Sequence, residues 1–377
     1  HDITIISFEK KDNLLNKYKL NALKKEVEEC GVSWYSLKYH KTPSILATLY
    51  DVVRGILVTL FFVKKSKIDF IHSRSYIPTL IALIANKLLN TRFIFDMRGF
   101  WADERVDVGL WDLKNKIYKG VYSFFKMKEK AFLENADHIV SLTLAGKKEM
   151  DSWKHIEKLS LPISIIPCCA DTALFDRRKI KLEAMQNARQ ELGIRADEPI
   201  LTYIGSITWY LIDEMFRFFI IYLEKYPEGK FLFITHASAD FIRSRAKAAG
   251  VSMDKILIVS AQRSSVPALA ILGHFSIIFR KPAYSTKAAC PTKQGELMSL
   301  GIPIICNSNV GDMDMIVRQY GSGIIVDSSN DSDYRKTVDN MKKIMFDPDK
   351  IREGAIDYFS LQLAVSKYKS IYSSLLN

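Results

Sequence analysis

The feature that most restricts the fold of this chain is an alternation of short apolar runs with longer amphipathic stretches. In the first half, apolar and β-branched runs predict strands at residues 3–7, 33–37, 68–72, 92–96, 138–141 and 164–167. Helical periodicity fills the intervals at residues 14–30, 44–65, 76–89 and 114–135. Alternation of this kind is typical of a parallel sheet with helices on both faces.

A second series of the same kind begins near Pro199. It predicts strands at residues 200–204, 230–235, 256–259, 275–279, 302–306 and 323–326. The polar segment 176–198 links the two series, and the tail 331–377 is helical by pattern with a break at residues 347–348. A chain of 377 residues is too long for one ordinary core, so we expect two consecutive α/β domains. Open parallel sheets bind ligands at the carboxyl ends of their strands, and the functional site is expected there.

The net charge of the chain favours some classes of binding partner over others. The formal net charge of +12 favours phosphorylated substrates, anionic lipids or nucleic acid. No zinc-finger spacing, helix-turn-helix pattern or aromatic RNA-binding signature is present, and we expect no nucleic-acid partner. Basic residues lie beside apolar ones at residues 61–67 and 124–128, which suits either peripheral contact with an anionic membrane or ordinary helix ends.

The apolar runs and the cysteines bear on localisation. Residues 56–63 and 76–85 fall short of the roughly 20 apolar residues that a membrane span needs, and they are predicted to be buried helix faces. The five cysteines lack metal-ligand spacing, and adjacent Cys168 and Cys169 are poorly placed to bridge each other. With a strand-like start and no charged leader, we expect reduced thiols in a cytoplasmic protein at the inner face of the cell membrane.

The most informative segment is residues 290–305. Pro291 ends the preceding loop, and Thr292 is predicted to cap a helix whose first turn holds Lys293. Free backbone N–H groups at a helix start, together with a lysine, make an anion site. Glu296, one turn later, is suited to accept hydrogen bonds from ribose hydroxyls, and residues 301–303 then open a buried strand.

This segment resembles the donor-binding signature of family 4 and related GT-B glycosyltransferases, in which a Pro-Thr-Lys helix start precedes a Glu and a Gly-x-Pro turn. The resemblance implies an α/β fold of two doubly wound, Rossmann-like domains whose parallel sheets face each other across an interdomain cleft. It implies an acceptor-side domain at residues 1–172, a donor-binding domain at 173–350, and a helix at 351–377 that packs toward the first domain. The donor-binding residues it implies are Pro291, Thr292 and Lys293, the last two at the phosphates, and Glu296 at the ribose.

The chain departs from the family at one position. Family members often carry a second Glu eight residues before the first, where this chain has Ala288. The preceding loop is basic, and Arg280 and Lys281 are expected to face a diphosphate or an acidic donor sugar.

Two further strand ends resemble donor-binding elements. Gly205 and Ser206 follow the first strand of the second series, where a glycine lets the backbone approach phosphates, although a plain tight turn is an alternative. Ala261, Gln262 and Arg263 resemble the strand end that reads the nucleobase through backbone groups.

An acid-rich segment at residues 95–105 follows a predicted strand in the first half. Carboxylates bind sugar hydroxyls or take an acceptor proton, arginine binds phosphate, and tryptophan stacks on a sugar face. Similar runs occur in a bacterial subset of these transferases, while a salt-bridged structural loop is the alternative. The expected catalytic residues are Lys293 and, from this segment, Asp96, Arg98, Asp103 and Glu104. Asp312 and Asp314 form an Asp-x-Asp pair that we expect to cap a helix, and no metal site is expected.

These features predict a metal-independent glycosyltransferase that needs no cofactor. Its partners are a nucleotide-sugar donor and a glycan or lipid-linked acceptor, and the resemblance implies retention of anomeric configuration and a role in bacterial surface polysaccharide synthesis, such as lipopolysaccharide or capsule. If the enzyme inverts, Asp96 or Asp103 is the candidate base. Two alternatives stay open: an epimerase or hydrolase of nucleotide sugars with the same fold, and a non-catalytic nucleotide- or glycan-binding subunit of a polysaccharide assembly complex.

Overall fold

The computed structural model describes residues 2–154, 156 and 160–376. The chain divides into two compact units. The first comprises His1–Asp96 and Ala131–Asp137, and the second comprises Met97–Lys130 and His138–Asn377. The predicted boundaries at residues 172 and 350 stay a prediction, and Asn377, the last residue of the predicted tail, lies outside the described residues.

The first unit is built from parallel strand pairs and helices. Its strands are β1 (Ile3–Glu9), β2 (Val32–Lys38), β3 (Phe70–Arg74) and β4 (Arg92–Asp96). Its helices are α1 (Lys11–Leu15), α2 (Lys17–Glu29), α3 (Ser44–Ser66) and α4 (Tyr76–Leu89). β1 pairs with β2 from Ile3 opposite Val32, and β3 pairs with β4 from Phe70 opposite Arg92. The buried rings of Tyr76, Phe95 and Phe132 meet edge to face at 5.4–6.0 Å between centroids and centre this core.

The second unit contains a six-stranded parallel sheet. Its elements before that sheet are α5 (Trp101–Asp107), α6 (Lys116–Asn135, whose last residues belong to the first unit), β5 (His138–Ser141), α7 (Leu144–Asp151), β6 (Ile163–Ile165) and α8 (Leu182–Glu191). The sheet strands are β7 (Ile200–Ile204), β8 (Lys230–Ile234), β9 (Ile256–Val259), β10 (Phe275–Ile278), β11 (Ile304–Asn307) and β12 (Gly323–Val326). Their spatial order is β12-β11-β10-β7-β8-β9. The chain adds β8 and β9 on one side of β7, then returns and adds β10, β11 and β12 on the other side, so the order of strands switches beside β7.

Helices cover both faces of this sheet. The helices that follow β7 in the chain are α9 (Ile212–Lys225), α10 (Ala239–Ala248), α11 (Val266–Ala270), α12 (Thr292–Ser299), α13 (Met313–Tyr320), α14 (Asp331–Asn340), α15 (Pro348–Phe359) and α16 (Leu361–Leu376). Successive β8 side chains point to opposite faces: Phe231 and Phe233 enter one apolar cluster, and Leu232 and Ile234 enter the other. Because both faces are buried, the strands are continuous apolar runs without alternation.

Most predicted elements are present. The bounds of α4, β4, β5, β7, β9 and β12 coincide with the prediction, and the other sheet strands differ by one or two residues. The helix predicted over residues 14–30 is two helices, α1 and α2. The predicted break at residues 347–348 is confirmed, because Asp347 accepts hydrogen bonds from the backbone N–H of Asp349 and Lys350 and α15 begins at Pro348.

The prediction that the apolar run at residues 56–63 is too short to belong to a membrane-length helix is wrong. That run is part of α3, whose segment Ile45–Ser66 is long and apolar enough to cross a membrane by length and composition. Only 28% of its most apolar window is buried: one face, with Val52 and Thr59, is buried as the sequence predicts, and the opposite face is exposed. The length was underestimated from the sequence because Asp51 and Arg54 separate two apolar stretches that belong to one continuous helix.

Candidate functional site

The start of α12 is the part of the predicted site that has the clearest geometry. Pro291 occupies the capping position in an extended conformation (φ −70°, ψ 107°), and its side chain caps nothing. Thr292 is the first helical residue, so the prediction that it caps the helix is wrong. Its hydroxyl instead helps to lower the pKa of the nearby Cys168 thiol. The first amides of any helix lack partners within the helix, which leaves this start polar and partly positive.

Lys293 lies under the glycine turn that follows β7. Its Nζ donates to the Tyr210 hydroxyl at 3.2 Å and sits 4.2 Å from the centre of the Tyr210 ring and 5.6 Å from that of Tyr203. Gly205 has φ +107°, and a Cβ at this position would overlap the Lys293 side chain. The sequence motifs at residues 205 and 293 therefore meet, and any larger residue at position 205 would force the end of the lysine side chain to move.

The electrostatics of Lys293 are unusual for a lysine. Burial lowers its pKa to about 8, with a further contribution from the positive charge of Arg280, against the opposing effect of Glu296. In the part of the chain that the structure describes, Lys293 has no ion-pair partner. The two tyrosines do not neutralise it, because burial raises the pKa of both phenols. The result is a half-buried, uncompensated cation at a helix start.

Arg280 is the second cation of the site, and its backbone is fixed by β11. The Asn307 side chain accepts from the Arg280 N–H at 2.8 Å and donates to the Arg280 carbonyl at 2.9 Å. The guanidinium lies 5.7 Å from the Trp209 ring, and its buried Nε has no partner among the described residues. Lys281, by contrast, is exposed and reaches the Asp107 carbonyl at 3.5 Å.

Glu296 lies one turn into α12 and is almost fully buried. Its Oε1 pairs with Nη2 of Arg263 at 2.8 Å, and the Arg263 guanidinium rests 5.3 Å from the Phe175 ring. Burial raises the pKa of Glu296, against the lowering effect of Arg263. Ala261 and Gln262 precede Arg263 directly after β9; Ala261 is half-buried and Gln262 is exposed. Ser206 is also exposed, and its carbonyl accepts from the Tyr203 hydroxyl at 2.6 Å.

The acid-rich segment divides between different environments. Glu104, on α5, is half-buried, and burial raises its pKa while Arg105 and Arg280 lower it. It therefore shares the electrostatic field of Arg280. Asp103 accepts hydrogen bonds from the Tyr122 hydroxyl at 2.8 Å and from Lys126 Nζ at 3.0 Å. Lys126 also pairs with buried Glu129, so Asp103 belongs to a buried network that packs α5 on α6.

Asp96 and Arg98 fall on either side of the division between units. Asp96 ends β4 in the first unit, where its Oδ2 lies 3.6 Å from His72 Nε2 and its carbonyl accepts from Ser75. Arg98 is the second residue of the second unit, has a left-handed backbone (φ +60°) and places Nη2 3.2 Å from Cys168 Sγ.

Asp312 lies at the start of a helix, as the sequence predicts, but its carboxylate binds α7 and not the helix that follows it in the chain. It occupies the capping position of α13 but makes no side-chain hydrogen bond to that helix. Its carboxylate accepts from the backbone N–H of Leu144 at 2.6 Å and Ala145 at 2.8 Å, and from the Tyr358 hydroxyl at 2.7 Å. It therefore caps α7. Within the described residues, no group of three or more His, Cys, Asp or Glu is arranged to hold a metal ion.

The absence of a glutamate at position 288 has a steric reason. Ala288 is 2% exposed, and its Cβ would lie 3.0 Å from a Cβ built on Gly146 of α7. The turn Ser285–Ala288 is also held by the Thr143 hydroxyl, which donates to the Lys287 carbonyl at 3.0 Å. A longer side chain at position 288 would therefore have to displace the packing of this turn on α7.

Sequence reasoning missed three residues that shape the site: Tyr210, Trp209 and Asn307. Their signal was weak, because each lies a few residues beyond a strand end or at its last position and only the folded sheet brings them to Lys293 and Arg280. The aromatic pair in the turn after β7, Trp209-Tyr210, was the one available indication.

No protein-family model matches the chain, and no curated protein sequence matches it. Solved structures do match. A glycosyltransferase from Rickettsia africae superposes with a TM-score of 0.73 at 16% identity and covers 100% of this chain and 99% of its own. Anabaena HepE, solved with UDP and glucose, gives 0.68 at 10% identity, covering 99% and 100%. WaaG, a glycosyltransferase of lipopolysaccharide biosynthesis, gives 0.65 at 14% identity, covering 96% and 98%. The chain has the α/β fold of these GT-B glycosyltransferases, with parallel sheets.

Proposed function

We propose that the chain is a glycosyltransferase that moves a sugar from a nucleoside-diphosphate donor, whose phosphates bind at the start of α12. The observation that carries the proposal is the uncompensated, half-buried cation of Lys293 beside a helix N-terminus and the Gly205 turn. A buried cation without a carboxylate is costly, and such cost is typical of a position that binds an anion.

The charge distribution fits the chemistry of glycosyl transfer. The sugar carbon becomes cation-like as its bond to the donor breaks, and negative charge builds on the departing diphosphate. Lys293, Arg280 and the first amides of α12 would stabilise that charge without a metal. Glu296, oriented by Arg263, would accept hydrogen bonds from the ribose hydroxyls.

We propose that the transfer retains the anomeric configuration of the donor sugar. An inverting transferase needs a carboxylate base for the acceptor hydroxyl. Of the two candidates, Asp103 is held by Lys126 and Tyr122, and Asp96 lies beside His72. Glu104, which lies within the electrostatic influence of Arg280, is the carboxylate better suited to contact the donor sugar.

The assay for this proposal measures both release and fate of the donor. Purified protein is incubated with uridine-, guanosine-, cytidine- and adenosine-diphosphate sugars, with and without a bacterial lipid and glycan extract. The uridine donors come first, because HepE was solved with UDP and glucose. We expect one donor to be consumed much faster with the extract and its radiolabelled sugar to appear in a larger product. Epimer formation without acceptor would favour the epimerase alternative, and binding without consumption would favour the assembly-subunit alternative.

The proposed acceptor side is an anionic membrane surface, where a lipid-linked acceptor of surface polysaccharide synthesis is found. One face of α3 exposes large apolar side chains over four turns, with exposed fractions of 44–65%; they are Ile45, Leu46, Leu49, Tyr50, Val53, Leu57 and Phe61. Lys64, Lys65 and Lys67 follow at the end of the helix. An apolar stripe ending in lysines suits shallow insertion among acidic headgroups.

Vesicle sedimentation tests this surface. The protein is expected to pellet with vesicles of mixed neutral and acidic phospholipid and much less with neutral vesicles. Leu57→Glu with Phe61→Glu should abolish pelleting. The matched control is Leu110→Glu, which changes a similarly exposed side chain elsewhere. Equal pelleting of the α3 variant and the control, or self-association of the wild type through α3 in the absence of lipid, would contradict membrane docking.

A further inference from the structure

Two cysteines that the proposed reaction does not use lie together at the start of α12. Cys290 immediately precedes Pro291, and Cys168 lies in the loop after β6. The Cys168 backbone N–H donates to Cys290 Sγ at 3.3 Å, so the two residues are in direct contact. All five cysteines of the chain are free.

The surroundings of the two sulfurs differ. Arg98 Nη2 donates to Cys168 Sγ at 3.2 Å. The hydrogen bond from Cys290, the charge of Arg98 and the Thr292 hydroxyl lower the pKa of Cys168 to about 6, against the effect of burial. Burial raises the pKa of adjacent Cys169, and the pKa of Cys290 is raised by its hydrogen bond to Cys168 and by burial.

We propose that Cys168 and Cys290 form a modification site at which a hydroperoxide produces a reversible disulfide. The Cys168 thiolate attacks the peroxide O–O bond, and the leaving oxygen takes a proton and departs as water, or as an alcohol from an organic peroxide. Cys168 is then a sulfenic acid, oxidised by two electrons. The Cys290 sulfur attacks that sulfur, the S–S bond forms, and the sulfenic hydroxyl leaves with the Cys290 proton as a second water.

The disulfide changes the start of α12. It removes the anionic sulfur that Arg98 and Thr292 contact, and it ties residue 290 to the loop after β6, three positions before Lys293. Turnover should therefore fall on oxidation and return with a thiol reductant. Only this effect on turnover rests on the proposed function, because the thiol chemistry is independent of what the site binds.

Peptide mass spectrometry under non-reducing conditions tests the linkage. After treatment of the whole protein with a small molar excess of hydrogen peroxide, we expect a peptide pair joined through Cys168 and Cys290, lost again on reduction. Cys290→Ser should leave Cys168 as a sulfenic acid that a dimedone probe captures, and Cys169→Ser should leave the disulfide unchanged. A bridge that involves Cys169, or oxidation of exposed Cys30 with the pair intact, would overturn the proposal.

Alkylation kinetics provide a second readout in the reduced protein. At pH 6 about half of Cys168 would be thiolate, against well under one per cent of an ordinary thiol, and the lower nucleophilicity of the weaker base offsets part of this. Iodoacetamide should therefore label Cys168 roughly tenfold faster than Cys169 at pH 6. Arg98→Gln should reduce that ratio, with circular dichroism as the check on folding. Equal labelling rates of the two neighbours would contradict the assignment.

The effect on turnover is tested separately. If the disulfide forms but turnover is unchanged, the proposed effect on α12 is wrong. If no donor is ever consumed, the proposed function fails while the thiol result stands.

Discussion

Lys126 and Lys293 are two half-buried lysines of the same unit in opposite environments. Lys126 Nζ lies between the carboxylates of Asp103 and Glu129, which raise its pKa despite burial. Lys293 faces two neutral tyrosine rings and Arg280, and its pKa is lowered to about 8. One lysine is neutralised within the fold, and the other has no carboxylate partner among the described residues.

The comparison explains why an ionisable residue in a motif is not by itself a functional residue. The acid-rich segment around Asp103 resembles a catalytic element in sequence, yet its carboxylate closes a network within the protein. A buried ion pair of this kind is strongly destabilised when one partner is removed. A half-buried cation without a carboxylate is costly to the fold, and it is free to stabilise the charge of a ligand.

The largest expected effect is on catalysis. Lys293→Met keeps the length of the side chain and removes its charge, so kcat should fall by about 10²–10³ because the departing diphosphate loses its main cation. Thermal unfolding should stay close to that of wild type. Turnover at the wild-type rate in the folded variant would place the leaving group elsewhere.

The mirror substitution acts on stability. Lys126→Met leaves Asp103 and Glu129 buried without their cation, and the free energy of unfolding should fall by about 3 kcal/mol. Urea unfolding of both variants checks the contrast, since Lys293→Met should change the same quantity by under about 1 kcal/mol. Equal losses in the two variants would end the distinction between the two lysines.

Gly205 tests whether the turn and the lysine act together. Gly205→Ala strains a left-handed position (φ +107°) and displaces the Lys293 side chain, so kcat/KM should fall roughly tenfold. Gly193→Ala is the matched control, because Gly193 also has positive φ (+61°) but a Cβ there meets nothing within 4 Å. Both variants should lose some stability, and only the first should lose activity. In the Lys293→Met background the Gly205 effect on activity should largely disappear.

The smallest expected effect is a dependence on pH. Lys293 is charged below its pKa of about 8 and neutral above it, so nucleoside-diphosphate affinity should decline as pH rises through and beyond 8, by several-fold up to pH 9.5. Bound diphosphate stabilises the charged form of Lys293 and raises its pKa in the complex, so the decline in affinity extends to higher pH. Calorimetric titrations at several pH values measure it. Lys293→Met should show a flatter profile, and a decline of the same size in that variant would assign the titration to another group.

The sequence predicted the parts of this molecule that depend on local pattern. The sheet strands are apolar runs of fixed period, so β7, β9 and β12 were placed to the residue, and Pro348 marked the start of α15. Contacts between distant segments were not predictable. Asp312 accepts from the first backbone N–H groups of α7 rather than from those of its own helix. Thr292 lies beside Cys168 rather than capping α12. Neither contact was predictable, because the partners are 124 or more residues away in the sequence.

The same limit applied to the site. The motifs around Gly205 and Lys293 were identified separately, but no spacing rule reveals that a Cβ at residue 205 would overlap the lysine. The charge states of Lys293 and Lys126 depend on which residues bury them, and the exposure of α3 depends on what the fold leaves uncovered.

Binding of nucleoside diphosphates to wild type and to Lys293→Met, measured by isothermal titration calorimetry at pH 7, tests the central claim most directly. A panel of uridine, guanosine, cytidine and adenosine diphosphates covers the possible bases. The account predicts that wild type binds one of them at a single site and that the variant, equally folded, binds it at least tenfold more weakly, a difference of about 1.4 kcal/mol. Equal affinity in the two proteins, or no binding of any nucleotide to wild type, would contradict it.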